Sequence, residues 1–146
     1  MLNLKHTILS FLVLAFVVIA PITAQAKEDK SLGLYLNLSS TNTVTAGHAF
    51  SQTLKMQKRG HPITIFLNGG AIMTAVKGVP HTSFKDKSLQ VWLNDLMSGG
   101  AKVIICKVCM GVHKITKADL IEGVAIGSPD VVAEYLFDPK YRVISW

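Results

Sequence analysis

Gly99-Gly100-Ala101-Lys102-Val103-Ile104-Ile105-Cys106-Lys107-Val108-Cys109-Met110 is the stretch on which the reading of this chain turns. Val103-Ile104-Ile105 is a short, unbroken apolar run, the pattern of a strand buried on both faces. Two glycines precede it and close a helix that Ser88 caps, whose Leu89, Trp92, Leu93, Leu96 and Met97 recur on one face. The run delivers Cys106 at its carboxyl end, and Cys109 to His113 opens the next helix.

The same strand-then-helix cycle extends in both directions. Upstream, Leu32–Leu38 is an apolar run followed by Ser39-Ser40-Thr41-Asn42-Thr43, a turn rich in N-cap residues. Ala46, Ala49, Phe50, Thr53 and Leu54 then keep helical spacing until Gly60. Ile63–Leu67 is a second strand, ended by Asn68-Gly69-Gly70 and a short helical turn around Ala71–Lys77. Downstream, Thr116 and Asp119 mark a helix start, and Gly123–Gly127 is a fourth strand. Pro129 opens a helix through Phe137 with Val131, Val132, Tyr135 and Leu136 inward, and Tyr141–Trp146 is a fifth strand. Five apolar strands alternating with helices predict an α/β fold with a mostly parallel sheet covered on both faces. Ligands and reactive groups in such sheets gather beyond the carboxyl ends of the strands. That rule selects residues 39–43, residues 68–70 and Cys106–Cys109.

The amino terminus reads differently. Lys5 and His6 precede the apolar run Ile8–Ala20, Pro21 ends it, and Ala24-Gln25-Ala26 supplies a small-x-small cleavage site. The run spans about 20 Å as a helix, short of a hydrocarbon core of about 30 Å. Residues 1–26 are therefore expected to be a cleavable signal peptide, and the mature protein a periplasmic or secreted domain over residues 27–146 without a membrane anchor. These about 120 residues suffice for one core and not for two. The whole chain has 146 residues, 49% of them hydrophobic and 16% charged. Its mean hydropathy of +0.37 owes part of its sign to the leader, and the composition excludes disorder, collagen-like repeats and coiled coil. The net charge of +6 includes Lys5, and the remaining lysines are scattered without interleaved aromatics, so no nucleic-acid partner is expected.

Cys106 and Cys109 are the only two cysteines. Three positions apart, they make a local site rather than a disulfide framework. A thiolate is the reactive form of cysteine, and a helix N-terminus with a cation such as Lys107 beside it favours that form. A second thiol one turn on can attack a disulfide or persulfide formed on the first. Cys106 and Cys109 are thus a redox or sulfur-transfer pair, with His113, four residues after Cys109, as a supporting proton donor. Three other readings stand beside it. One is a thiol–disulfide oxidoreductase, although the pair lacks the position after the first strand that a thioredoxin uses. Another is a Cu(I) site of Cys106, Cys109, Met110 and His113. The third is an oligomeric binding protein with an inert disulfide. A closed zinc site needs a second ligand pair that the sequence does not supply, and Met110 stands where haem attachment requires histidine. Residues 39–43 also have the hydroxyl and amide groups of a phosphate loop, but serve more simply as an N-cap, and no cofactor is implied. No Ser-His-Asp order, carboxylate pair or P-loop supports a hydrolase or kinase.

With these residues in view, the chain resembles the DsrE/DsrF-like family of sulfur-relay proteins, sometimes described as predicted peroxiredoxins. The matching stretches are LGLYLNLSS, RGHPITIFLNGGAI, GGAKVIICKVCMGV and DLIEGVAIGSPDVVAEYLFDPKYRVISW, nearly all of residues 27–146. The resemblance implies a three-layer flavodoxin-like sandwich with five strands, assembly into homotrimers or hexamers, and a persulfide on the cysteine just after the third strand, Cys106 here. Members commonly have glycine at the end of the turn after the cysteines, where this chain has Lys114. Well-understood relay members are cytoplasmic, whereas this chain carries an export signal. The sulfur donor and acceptor are not implied.

Overall fold

The computed structural model describes residues 28–146. The leader and its Ala24-Gln25-Ala26 site lie outside the described residues. Five strands form one sheet: β1 (Gly33–Leu38), β2 (Ile63–Leu67), β5 (Lys102–Cys106), β6 (Val124–Gly127) and β7 (Tyr141–Ser145), in the order β6-β5-β2-β1-β7. Every pairing is parallel, so the expected mostly parallel sheet is wholly so. The two strands that the sequence could not give are the two-residue arms of a hairpin, β3 (Ser83–Phe84) and β4 (Lys87–Ser88). Among the described residues no helix is long and apolar enough to cross a membrane.

The two sheet faces are covered unequally. Leu36, Leu38, Ile65, Leu67, Val103 and Ile105 alternate onto one face and are buried with Ala46, Ala49 and Phe50 of helix α1 (Thr43–Lys58) and Leu93 and Leu96 of α2 (Leu89–Ser98). This is the main core. The opposite face carries Tyr35, Phe66 and Ile104, and the eight-residue helix α4 (Pro129–Leu136) lies over it. Tyr135 stacks on Tyr35 at 5.7 Å and meets Tyr141 edge-on at 5.1 Å. Val131, Val132 and Tyr135 are half-buried there. Leu136, expected inward, is 43% exposed, and the next residue, Phe137, lies outside the helix with 84% of its surface in solvent. One short helix cannot bury a full apolar stripe against a sheet it only partly spans.

Local capping follows the sequence closely. Asn42 accepts the Val44 and Thr45 amides at 3.0 Å each and starts α1. Ser88 accepts the Val91 amide and starts α2. Thr116 and Asp119 form the reciprocal capping box, although the helix it begins is a single 3-10 turn, Lys117–Asp119.

The start of the domain is tied to the entry of β2. Glu28 accepts from the Arg59 guanidinium at 2.8 and 3.1 Å, and its other oxygen lies 2.8 Å from Nε2 of His61. Nδ1 of His61 faces the Leu32 carbonyl at 2.7 Å. Carbonyl and carboxylate oxygens only accept, so the imidazolium form of His61, with hydrogen on both ring nitrogens, is the one that satisfies both contacts. Hydrogen bonding to Glu28, then to Leu32, accordingly raises the His61 pKa above 6.5, and the Arg59 and His61 bonds lower that of Glu28 from 4.5 to about 2. A raised histidine pKa stabilises the fold fully below 6.5, and the contribution is lost as pH rises through the folded value. A depressed carboxylate contributes fully above 4.5 and loses this as pH falls toward about 2. The clamp is therefore strongest between pH 4.5 and 6.5. The difference in melting temperature between wild type and His61→Gln should shrink from pH 6 to pH 9; a constant difference would mean that His61 acts only by packing.

Candidate functional site

The site is assembled at the carboxyl ends of β2 and β5. Residue 106 is the last of β5 and the N-cap of helix α3 (Lys107–Val112), so the chain turns at the cysteine itself. Its Sγ accepts the Cys109 amide at 3.2 Å, as a serine oxygen would at an N-cap. One turn on, the Cys109 Sγ accepts the amide of Gly69 at 3.2 Å. That donor comes from the first residue after Asn68, in the 3-10 helix Gly69–Ala75. Asn68 is fixed by its own amide to the Leu38 carbonyl at 2.9 Å and by its side chain to Asn37. Gly69 has φ +51°, the left-handed region where a side chain is strained, and this turn aims its N–H at the sulfur. Each sulfur thus receives one backbone donor.

Both cysteines are free thiols, half-buried. Burial raises the Cys109 pKa, and its hydrogen bond with Cys106 raises it further, against the lowering effect of the Gly69 amide. At neutral pH the second thiol is held protonated.

The other expected residues fall in different places. Lys107 and His113 are exposed, at the first turn and the C-cap of α3, and neither is hydrogen-bonded to a thiol. Met110 is 5% exposed and belongs to the main core. Of the four residues in the Cu(I) reading, the structure brings Cys106 and Cys109 together and turns Met110 inward. Among the described residues no three His, Cys, Asp or Glu side chains are grouped as metal ligands. Residues 39–43 are engaged internally: Asn42 caps α1 and Ser39 donates to the Trp146 carbonyl.

Lys114 has φ +55°, a conformation that glycine adopts freely and other residues rarely. A non-glycine residue there costs about 1 kcal/mol. Lys114→Gly should therefore raise stability by about that amount in denaturant titration; a loss would show that the lysine side chain makes a compensating contact.

An apolar groove of about 380 Å³ opens beside Cys106, between the starts of α3 and α4. Phe66, Val108, Pro129 and Val132 form its walls, with Gly127 and Ser128 at the end of β6. The sequence reading missed these residues and the Gly69 donor. The rule selecting strand carboxyl ends had nevertheless picked out residues 68–70 and Cys106.

An all-parallel five-stranded α/β sandwich with a free dithiol where the third strand of the sheet by sequence, β5, meets a helix is the class of protein that this fold and site define. The DsrE/DsrF-like family matches residues 13–146, and the chain belongs to that family. Two solved structures are similar: the ychN protein from E. coli, with TM-score 0.68 and 17% identity, and a protein of unknown function, MTH1491, from Methanobacterium thermoautotrophicum, with TM-score 0.65 and 11% identity. Each alignment covers 79% of this chain and 99% of the other. At these identities the likeness is one of fold. Comparison with curated proteins finds no match.

Proposed function

We propose that this protein is an exported sulfur-relay protein that carries sulfane sulfur as a persulfide on Cys106, with Cys109 as the resolving thiol. The observation that carries the reading is the pair of sulfurs with a backbone donor each, Cys109 N–H to Cys106 and Gly69 N–H to Cys109. A sulfur anion formed at Cys106 is met by an amide already in place, which favours it without reorganisation. Family membership supports sulfur-relay chemistry.

The steps balance without an outside oxidant. The Cys106 thiolate attacks the outer sulfur of a donor persulfide; a new S–S bond forms, the donor S–S bond breaks, and the donor leaves as a thiolate. An acceptor thiolate attacking the outer sulfur of Cys106 reverses this sequence and passes the sulfur on. Attack by Cys109 on the inner sulfur instead expels hydrosulfide and leaves a disulfide, so two electrons move from the dithiol to the departing sulfur.

Export rests on the leader over residues 1–26, and a homo-oligomer, trimer or hexamer, on family likeness. The exposed Leu136, Phe137, Val143 and Trp146 on and around the thinly covered sheet face support self-association. The test is an intact mass of secreted, reduced Cys109→Ser protein, in which no second thiol discharges the adduct, before and after an organic persulfide. A chain starting at Lys27 that gains about 32 mass units per sulfur supports the proposal. A retained leader contradicts export, and an unchanged mass contradicts sulfur uptake.

A further inference from the structure

We propose that the groove beside Cys106 binds the organic body of the sulfur donor, and that this donor is a small organic persulfide with an apolar substituent. The inference rests on the reading of Cys106 as the sulfur acceptor, and adds the substrate class.

Cys106 and Gly127 are register partners on adjacent strands and share the sheet face beneath α4. A Cβ at residue 127 would lie 2.5 Å from Cγ2 of Ile104 and 3.6 Å from the ring of Phe66. A side chain at residue 127 would therefore collide with Ile104, and the glycine places no side chain beside the sulfur. Phe66 lines the groove from β2, Val108 from α3, and Pro129 and Val132 from α4, so three separate elements supply apolar surface to one space. Its volume of about 380 Å³ lies in the range of small-molecule sites, about 300–1,000 Å³. Among the described residues Lys107 is the one charged side chain along it. These walls desolvate an apolar group favourably and a hydrated inorganic polysulfide at a cost. The lysine at the rim matches the single negative charge of the thiolate that leaves when RS–SH gives its outer sulfur to Cys106. Atoms and charge balance: the RS–SH bond breaks, the Cys106–SH bond to the transferred sulfur forms, and RS⁻ departs.

The test separates groove from relay. Benzyl and 2-hydroxyethyl methanethiosulfonate are both neutral and both transfer RS to a thiolate with release of methanesulfinate. Their labelling rates at Cys106 are measured in the Cys109→Ser protein, where no second thiol removes the label, and divided by their rates with free glutathione. The groove predicts a normalised preference for benzyl of about tenfold. Val132→Asp should abolish that preference. Val132→Thr, nearly isosteric, should reduce it even if the aspartate variant folds poorly. Equal normalised rates in the parent, or a preference that neither substitution moves, would overturn the proposal. So would a Cys106 that neither reagent reaches until dilution dissociates an oligomer, since another copy then fills the groove. A benzyl preference in a protein that takes up no sulfane sulfur would reject the relay reading and leave the groove; sulfur uptake without the preference would do the reverse.

Discussion

Cys106→Ser is expected to abolish the sulfane adduct, whereas Cys109→Ser is expected to make it accumulate. The two substitutions are chemically identical and three residues apart, so opposite results can come only from position. Cys106 ends β5, borders the groove and has the Cys109 amide on its sulfur at 3.2 Å. Serine there keeps the N-cap, since a hydroxyl oxygen accepts the same amide, and removes only the nucleophile. Cys109 sits one turn inward, where burial raises its pKa and holds it protonated. Without it, the inner sulfur of a Cys106 persulfide has no internal thiol to attack it, and only external thiols discharge the adduct. The readout is intact mass after donor exposure, at about 32 mass units per sulfur. Adduct retained in Cys106→Ser and lost in Cys109→Ser would exchange the two roles.

Gly47→Ala should destabilise the domain by about 2 kcal/mol, lowering the melting temperature by about 8 °C. Helix propensity alone predicts the opposite, a gain of about 1 kcal/mol for alanine in a helix interior. Packing decides the sign. Gly47 is buried in α1 directly beneath Phe84, and a Cβ there would overlap the Phe84 side chain. Phe84 cannot withdraw freely. Its carbonyl accepts Nε1 of Trp92 at 3.1 Å, and its ring lies 4.9 Å from that of His48 and 6.4 Å from that of Trp92. The clash must therefore move the β3–β4 hairpin or tilt α1. Because the two residues touch, Gly47→Ala combined with Phe84→Ala should cost less than the sum of the single changes. Additive losses, or a stabilised Gly47→Ala, would show that the hairpin is not seated on the helix as described.

That contact also marks where the sequence stopped being legible. The five sheet strands could be read because strands such as Ile63–Leu67 and Val103–Ile105 are buried nearly throughout and leave runs that are apolar but for Thr64. Helix starts at Asn42, Ser88 and Pro129 could be read because capping is local chemistry. Ser83–Phe84 and Lys87–Ser88 carry no alternation, being two residues each, and are held by Phe84 meeting a glycine 37 positions earlier in the chain. Leu136 failed for a related reason: periodicity gave its side of the helix, but not how little sheet α4 covers. At the site, the spacing of Cys106 and Cys109 and the strand-end rule were enough to place both thiols. The Gly69 donor lies 40 residues from the sulfur it serves. The groove draws Phe66, Cys106 and Val132 from three separated segments. Both depend on sheet order β5-β2 and β6-β5, which the local pattern does not encode.

The central claim is that sulfur passes through Cys106 before the two thiols join. A rapid-quench time course of intact mass, starting from fully reduced wild type and one equivalent of an organic persulfide, tests this most directly. The account predicts that a species heavier by about 32 mass units appears first. A species lighter than the dithiol by about 2 mass units then replaces it, with one hydrosulfide released for each disulfide formed. Appearance of the lighter species with no heavier one before it, and no hydrosulfide, would contradict the account and identify the pair as a plain thiol–disulfide couple.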